Sequence, residues 1–292
     1  MIQIKNLTKS FENTVLNNIS IDIPDGSIVG LVGINGAGKS TFLRLISGVY
    51  EPDNGDVLYD GESIYKNAAI KRSLYFLTDD PYFSVSETPD SILKYYKYFY
   101  NYYMVYIDLI HYFNKFGIPL HKPLYKFSKG MKRQTSLAIG ISLTPKYLFL
   151  DEAFDGVDPV ARKELKELLM SVQAKNNMTV IISSHSLREL EDICDCYLII
   201  TETGAKIYND ITEFSYHKYV MAFEDKVQIR KLHVPFIEVE EEGRIIRCVT
   251  KLDYEAMQKA LEKHEPKFLE EQPLSVEDAF LIKLKEEGSR NV

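Results

Sequence analysis

The stretch that decides the fold is Gly33-Ile34-Asn35-Gly36-Ala37-Gly38-Lys39-Ser40-Thr41, which follows a buried apolar run and precedes a helical pattern. It fits G-x-x-x-x-G-K-[ST] in the strand, loop and helix context that this pattern requires. Gly36 and Gly38 let backbone N–H groups converge on phosphate oxygens, toward which the following helix dipole also points. Lys39 is predicted to reach the β- and γ-phosphates, and Ser40 to give its hydroxyl to Mg²⁺. The stretch therefore predicts a nucleoside triphosphate site.

A pair of neighbouring carboxylates forms the second motif, at the end of Tyr147-Leu148-Phe149-Leu150-Asp151-Glu152. Four apolar residues followed by two acids place both carboxylates at the carboxyl end of a buried strand, where open α/β sheets bind ligands. Asp151 is predicted to hold Mg²⁺ through its water shell, and Glu152 to act as general base on the attacking water. Two acids at the start of a solvated loop are the alternative, and the phosphate loop favours the site.

Two weaker motifs lie on either side of this strand. The apolar run Thr179 to Ser183 leads to His185, which either contacts a γ-phosphate or the attacking water, or is structural. Ahead of Asp151, Phe127-Ser128-Lys129-Gly130-Met131-Lys132-Arg133-Gln134 places a serine at a helix start. That serine is a simple N-cap, or it belongs to a second phosphate site at an exposed helix N-terminus.

Composition limits the classes of function. A chain of 292 residues predicts about two domains. With 35 basic and 42 acidic residues the formal charge is −7, which argues against general nucleic-acid binding. The chain lacks an apolar run of about 18 residues and a signal-peptide start, so no direct membrane span is expected. Three cysteines without a C-x-x-C pair predict free thiols in a reducing cytoplasm.

The order of predicted elements indicates an α/β fold. Short strands fill residues 1–32, and the pattern is mostly helical from about 86 to 143. Buried strands at 146–150 and 178–183 flank a charged helix, and this β-α-β order predicts a parallel sheet covered by helices. After about residue 212 the composition becomes more charged, which predicts a separate small unit of mixed strands and helices.

A tyrosine-rich stretch runs from Lys94 to Phe116. Base stacking is conceivable for so many rings, but few basic residues accompany them. Helix packing combined with a protein-contact face is the preferred interpretation. The rings are Tyr95, Tyr96, Tyr98, Phe99, Tyr100, Tyr102, Tyr103 and Tyr106.

Together these motifs resemble the ATP-binding subunit of an ABC (ATP-binding cassette) transporter of the bacterial exporter type (ABC-2-like), over residues 1 to about 212. The matching motifs, in chain order, are Walker A (Gly33–Thr41), an "SKGM" variant of the LSGGQ signature (Phe127–Met131), Walker B (Leu148–Glu152), the D-loop (Asp155–Asp158) and the switch histidine, His185. The resemblance implies a P-loop NTPase (RecA-like) core with an antiparallel β subdomain and an α-helical subdomain at about 86–143. Residues 213–292 would form a small α+β C-terminal extension.

The resemblance also implies a site completed by two chains. ATP would be bound by the whole stretch Gly33 to Thr41, with Phe11 stacked on adenine, unless that ring is only a hydrophobic strand-end residue. Two cassettes would stack head to tail, so that the second cassette contributes its residues in trans: Ser128, Lys129, Gly130 and Asp158. The implied metal site is Ser40, Asp79 and Asp151, and the implied catalytic residues are Lys39, Asp79, Glu152 and His185.

One position departs from the family pattern. Alignment of Leu74 to Pro81 with the Q-loop puts Asp79 where glutamine is usual, and Asp80 is the alternative register. An aspartate still ligates Mg²⁺ but, when ionised, cannot donate a hydrogen bond.

The function that the resemblance implies is an ATP-hydrolysing motor at the cytoplasmic face of the cell membrane. It would drive export of a drug, peptide or lipid-like substrate through separate integral membrane permease subunits. A tail similar to the recurring "SLEDVF" of exporter cassettes, Ser275 to Phe280, fits this function. Soluble cassette ATPases of ribosomes or chromosomes and importer motors are the alternatives. The substrate, the role of the C-terminal segment and the choice between homodimer and heterodimer stay open.

Overall fold

The chain divides into two compact units, residues 1–209 and 210–292. Each unit has its own buried apolar core, as domains do. In this computed structural model the described residues are 1–100, 106–184, 187–201, 204–209, 215–224, 229–264 and 266–286. No helix among them is both long enough and apolar enough to span a bilayer.

The first unit contains ten strands and six α-helices within the described residues. Its strands are β1 (Ile2–Ser10), β2 (Thr14–Ile23), β3 (Ile28–Val32), β4 (Asn54–Tyr59), β5 (Glu62–Ser63), β6 (Leu74–Leu77), β7 (Tyr147–Asp151), β8 (Thr179–Ser183), β9 (Cys196–Thr201) and β10 (Gly204–Tyr208). Its helices are α1 (Lys39–Ile46), α2 (Ala68–Arg72), α3 (Pro89–Tyr100), α4 (Tyr106–Lys115), α5 (Lys129–Ser142) and α6 (Pro159–Asn176).

A six-stranded sheet with the order β10-β9-β3-β8-β7-β6 forms the centre of this unit. All its pairings are parallel except that of β10 with β9. Strands β3, β7 and β8 are buried along their whole length, as their runs of Val, Ile, Leu and Phe predict for strands covered on both faces. Because β8 lies between β3 and β7, the carboxyl ends of these three strands meet at one edge of the sheet.

A second sheet, with the order β2-β1-β4-β5, is antiparallel throughout. Its inward-facing residues share one apolar core with α1 and the central sheet. Helix α1 contributes Phe42 and Leu45, and the two sheets contribute Ile4, Val57 and Phe149, none of them more than 1% exposed. This packing holds α1 in place, and its N-terminus follows the carboxyl end of β3 after a loop of residues 33–38.

The helical part of the first unit contains α3, α4 and α5. The tyrosine-rich stretch contains both packed and exposed rings. Tyr96 packs edge-on against Tyr75, whereas Tyr98 is 83% exposed. Tyr112 is buried, and its hydroxyl accepts a hydrogen bond from Gln134. Two residues of the predicted cluster, Tyr102 and Tyr103, lie outside the described residues. For three others the structure describes the backbone but not the side chain: Phe99, Tyr100 and Tyr106.

In its described residues, the second unit contains a four-stranded antiparallel sheet with the order β12-β13-β11-β14 and two α-helices. Its core includes Tyr219, Met221, Ile246 and Met257. Ser275 caps the last helix, because its hydroxyl accepts a hydrogen bond from the backbone N–H of Asp278. The elements are β11 (His217–Ala222), β12 (Phe236–Glu242), β13 (Ile245–Thr250), α7 (Tyr254–Leu261), β14 (Phe268–Gln272) and α8 (Val276–Glu286).

Candidate nucleotide-binding and hydrolysis site

The phosphate loop links β3 to α1 and requires its glycines. Gly36 and Gly38 have φ values of 84° and 93°, a left-handed region that favours glycine. A Cβ on Gly38 would lie 2.9 Å from side-chain carbons of both Val15 and Leu16. Gly38 is the N-cap of α1, and its carbonyl oxygen accepts a hydrogen bond from Phe42 N–H. The last residue of the phosphate loop is therefore also the cap residue of the helix.

The Lys39 side chain is hydrogen-bonded to the backbone of this loop. Its Nζ donates to the carbonyl oxygens of Gly33 at 2.7 Å and Ile34 at 3.2 Å, and the residue is buried. Burial lowers the pKa of Lys39, while Glu152 and Asp151 nearby act in the opposite direction. A further negative charge, such as a phosphate group, would favour the protonated lysine.

Asp151, at the end of β7, accepts hydrogen bonds from two serine hydroxyl groups. Its Oδ1 accepts hydrogen bonds from Ser40 Oγ at 3.1 Å and Ser183 Oγ at 2.7 Å. The carboxylate is 1% exposed, and Oδ2 has no hydrogen-bond partner within the described part of the chain. A buried carboxylate oxygen in this state, beside a serine hydroxyl, is the kind of hard oxygen ligand that suits Mg²⁺ and its water shell. The residues present therefore fit the predicted ion.

Glu152 has an uncommon backbone conformation. Its φ is 49°, in the left-handed region that non-glycine residues seldom adopt and that clusters at functional sites. Two hydrogen bonds hold it there, because its N–H donates both to Ser183 Oγ at 2.9 Å and to Ser183 O at 3.2 Å.

The phosphate loop and Glu152 line one cavity of about 220 Å³. A carboxylate in the same cavity as the phosphate-binding lysine has the placement that a general base for the attacking water needs. The lining residues are Val15, Asn35, Gly36, Gly38, Lys39, Ser40, Thr41 and Glu152.

Ser183 is a residue of the candidate site that the sequence analysis did not single out. It lies at the end of β8, between the strands that carry the loop and the carboxylates, and contacts both Asp151 and Glu152. Its signal in the sequence is a hydroxyl that closes an apolar strand directly before Ser184 and His185.

The signature segment begins α5 at the surface. Ser128 is the N-cap, and its Oγ accepts a hydrogen bond from Met131 N–H at 3.2 Å. Ser128, Lys129 and Asp158 are exposed, and Asp158 caps α6. Gly130 has no room for a side chain, because a Cβ there would lie 2.4 Å from Gly156 O. Their predicted role in trans stays a prediction.

Phe11 and His185 are the predicted adenine-stacking residue and the predicted switch histidine. Phe11 is 58% exposed, with its ring 5.9 Å from that of Tyr50 and Lys9 Nζ 5.6 Å from its centre. It does not line the phosphate-loop cavity, so its contact with adenine stays a prediction. His185 lies outside the described residues, which stop at Ser184, one residue after β8, and resume at 187.

Asp79 is bound to Arg133, a residue that the sequence analysis passed over. The guanidinium bonds both the carboxylate and the backbone carbonyl of Asp79. Asp79 does not line the phosphate-loop cavity, and Asp80 is exposed. The metal-binding and catalytic roles of Asp79 stay predictions, and the structure adds a different partner for its carboxylate.

A phosphate loop after β3 and an Asp-Glu pair at the end of β7, at one edge of a parallel sheet, define a P-loop nucleotide hydrolase. Residues 16–155 match the ABC transporter family. The chain is 29% identical to the ABC transporter ATP-binding protein YtrB of Bacillus subtilis, over 97% of this chain and 98% of YtrB. It is 31% identical to the lantibiotic transport ATP-binding protein SrtF of Streptococcus pyogenes, over 67% of this chain and 84% of SrtF.

The structural comparison agrees with the sequence comparison. A solved structure of an ATP-binding subunit of an ABC transporter superposes with a TM-score of 0.65 at 26% identity, covering 73% of this chain and 92% of that one. The chain belongs to the ABC transporter ATP-binding family, which confirms the resemblance, the fold class and the predicted ATPase activity. It is an ATP-binding subunit that hydrolyses ATP to drive transport.

Proposed function

We propose that this chain is the motor of an exporter of lantibiotic-type peptides. The observation that supports this substrate class is the similarity to SrtF, whose name gives lantibiotic transport. The "SKGM" signature at Ser128 to Met131, which resembles that of bacterial exporter cassettes, favours the same direction of transport.

We also propose that hydrolysis takes place between two cassettes stacked head to tail. One chain carries both halves of such a site: the phosphate-loop cavity with Glu152, and an exposed signature segment. Ser128, Lys129, Gly130 and Asp158 of the second cassette would then face the γ-phosphate held by Lys39 of the first.

Within each site, Ser40 and Asp151 would hold Mg²⁺. The ion supplies charge neutralisation for the β- and γ-phosphates when it is bound. The residues of the chain would supply the other roles: Lys39 would contact the phosphates, and Glu152 would accept the proton of the attacking water. Ser183 would orient the Asp151 carboxylate and the backbone of Glu152, both of which it bonds.

A groove in the helical part of the first unit is the proposed docking site for an integral membrane permease. It has a volume of about 550 Å³ and lies between residues 82–87 and helix α3. Tyr82 at its edge is 91% exposed and Tyr95 is 56% exposed. Amphipathic rings of this kind are enriched at protein interfaces. Docking there would place the chain peripherally at the cytoplasmic face of the cell membrane, without a span of its own.

Export is tested in cells that carry this chain or its Glu152→Gln variant as the sole copy. Cells are loaded with a fluorescently labelled lantibiotic, and its loss from the membrane fraction is followed over time. Faster loss with the wild-type chain than with the variant supports the proposal. Equal loss in both strains contradicts it, and uptake that needs the wild-type chain indicates an importer motor instead.

A further inference from the structure

The Arg133 side chain makes five hydrogen bonds, which use every N–H of its guanidinium group. Nε and Nη2 donate to the carbonyl oxygen of Asp79 at 3.0 and 2.8 Å, and Nη2 also donates to the Asp79 carboxylate. Nη1 donates to Asp155 O at 2.6 Å and to Asp155 Oδ2 at 2.9 Å. One side chain thus joins two loops that are far apart in the sequence.

Arg133 is 1% exposed, so its charge depends on these partners. A buried charge that loses its partner is strongly destabilising, whereas the two aspartates are about half exposed and can be solvated. The planar guanidinium is the group that can hold two loops at once, because its N–H donors point in fixed directions.

The Asp79 loop leads to the proposed permease groove, and the Asp155 loop leads to Glu152. Asp79 follows β6 and precedes Tyr82, which lines the proposed permease groove. Asp155 follows β7, and its N–H donates to the carbonyl oxygen of Glu152 at 3.1 Å. A continuous path of hydrogen bonds therefore runs from Asp79 through Arg133 and Asp155 to the backbone of Glu152.

We propose that Arg133 is a positioning residue that ties the Asp79 loop to the Asp155 loop and so fixes the backbone at Glu152. The Asp79 carboxylate then serves as an anchor for the guanidinium. Its link to permease docking rests on the proposed function, whereas its effect on Glu152 is a property of the cassette alone.

The test uses the full chain without a permease. Arg133→Gln removes the charge and most donors, and Arg133→Lys keeps the charge without the planar fork. Gln134→Met is the matched control, because Gln134 is the next residue of α5, is buried, and bonds Tyr112 rather than either loop. The steady-state kcat and KM for ATP are measured, together with hydrogen exchange of peptides covering residues 78–82 and 152–158.

Arg133→Gln is expected to lower kcat about 10-fold or more, since small misplacements of a catalytic group have effects of this size. The KM for ATP stays within about 2-fold, because the phosphate loop is intact, and exchange rises in both peptides. Arg133→Lys recovers part of kcat, and Gln134→Met leaves kcat and both peptides near wild type. Equal losses in the Gln134 control, or an unchanged kcat in Arg133→Gln, would overturn the proposal.

Asp79→Asn keeps the test decisive if the Arg133 variants do not fold. It removes one of the two carboxylate charges, but Asp155 and the backbone carbonyl of Asp79 still bond the guanidinium, so folding is retained. Faster exchange is expected at the distant residues 152–158, with an unchanged Mg²⁺ requirement. Unchanged exchange at 152–158 would overturn the proposal. A changed Mg²⁺ requirement would assign the carboxylate to the metal, which also overturns it. A failed export assay would leave these results untouched, because none of them involves a permease.

Discussion

Ser40 Oγ donates a hydrogen bond to Asp151 Oδ1 at 3.1 Å, although the two residues are 111 positions apart in the sequence. The contact joins the first turn of α1 to the carboxyl end of β7. It is possible because β3, which leads into α1, and β7 are separated by one strand, β8. The phosphate-binding part and the carboxylate part of the site are therefore assembled by the sheet order.

Ser183→Ala is expected to lower kcat for ATP hydrolysis about 10-fold. The hydroxyl bonds the Asp151 carboxylate and the N–H of Glu152, so its loss releases both groups from their present positions. Steady-state kinetics at saturating Mg-ATP measure the change. Ser142→Ala is the control, since Ser142 is equally buried, at 1% exposed, but lies at the end of α5. A wild-type kcat in Ser183→Ala would contradict the assigned role.

Gly130→Ala is expected to destabilise the first unit by about 1–3 kcal/mol, the usual range for overpacking. Its Cβ would lie 2.4 Å from Gly156 O, a backbone atom that cannot rotate away. Urea denaturation measures the loss, with Lys132→Ala on the same helix as the control. Equal stability of Gly130→Ala and the control would show that the two segments do not pack closely.

Asp60→Asn is expected to reduce the acid sensitivity of folding. Hydrogen bonds from Lys146 and the N-terminal amine lower the pKa of Asp60 from 3.8 to about 2. A lowered pKa means that the stabilisation is fully present above pH 3.8 and is lost as the pH falls through about 2. Urea midpoints between pH 5 and pH 2.5 should therefore fall less steeply in Asp60→Asn than in wild type. Asp22→Asn, an exposed strand residue, is the control. Parallel pH profiles for Asp60→Asn and wild type would count against the ion pairs.

Replacing Tyr82 and Tyr95 together by alanine is expected to reduce the stimulation of ATP turnover by the membrane subunits. Both rings line the proposed docking groove and are 91% and 56% exposed, so the substitutions remove little packing within the chain. The ratio of the stimulated to the unstimulated rate is measured in proteoliposomes with the purified permease. Tyr125→Ala removes a half-exposed ring elsewhere and serves as the control. Full stimulation of the double variant would place the docking site elsewhere.

The sequence predicts which residues the structure brings together at the phosphate loop, because they are encoded locally. The glycines, Lys39 and Ser40 lie in one loop, and Asp151 and Glu152 follow one apolar strand, so spacing alone identifies them. The buried strands are equally recognisable, since apolar runs bounded by glycine and charged residues are typical of parallel sheets.

The sequence does not predict contacts that depend on how separate elements meet. Arg133 is one of several basic residues in its segment, and only the packing of α5 against the two loops shows that its charge is buried between Asp79 and Asp155. Likewise, the strand order alone places Ser183 between the phosphate loop and the carboxylates. The Q-loop pattern is local and aligns Asp79 with the metal site, whereas the ion pair of Asp79 with Arg133 spans 54 positions and has no local signal.

The central claim is that Glu152 activates water at the phosphate loop of a cassette dimer, and Glu152→Gln tests it most directly. ATP turnover and light-scattering mass are measured for the wild type and the variant in Mg-ATP. Loss of the general base should lower kcat by about 10²–10⁴ while ATP binding is retained, so that an ATP-bound dimer accumulates. A variant that lacks turnover but stays monomeric at high protein and ATP concentrations would indicate pairing with a different cassette. Turnover at the wild-type rate would contradict the account.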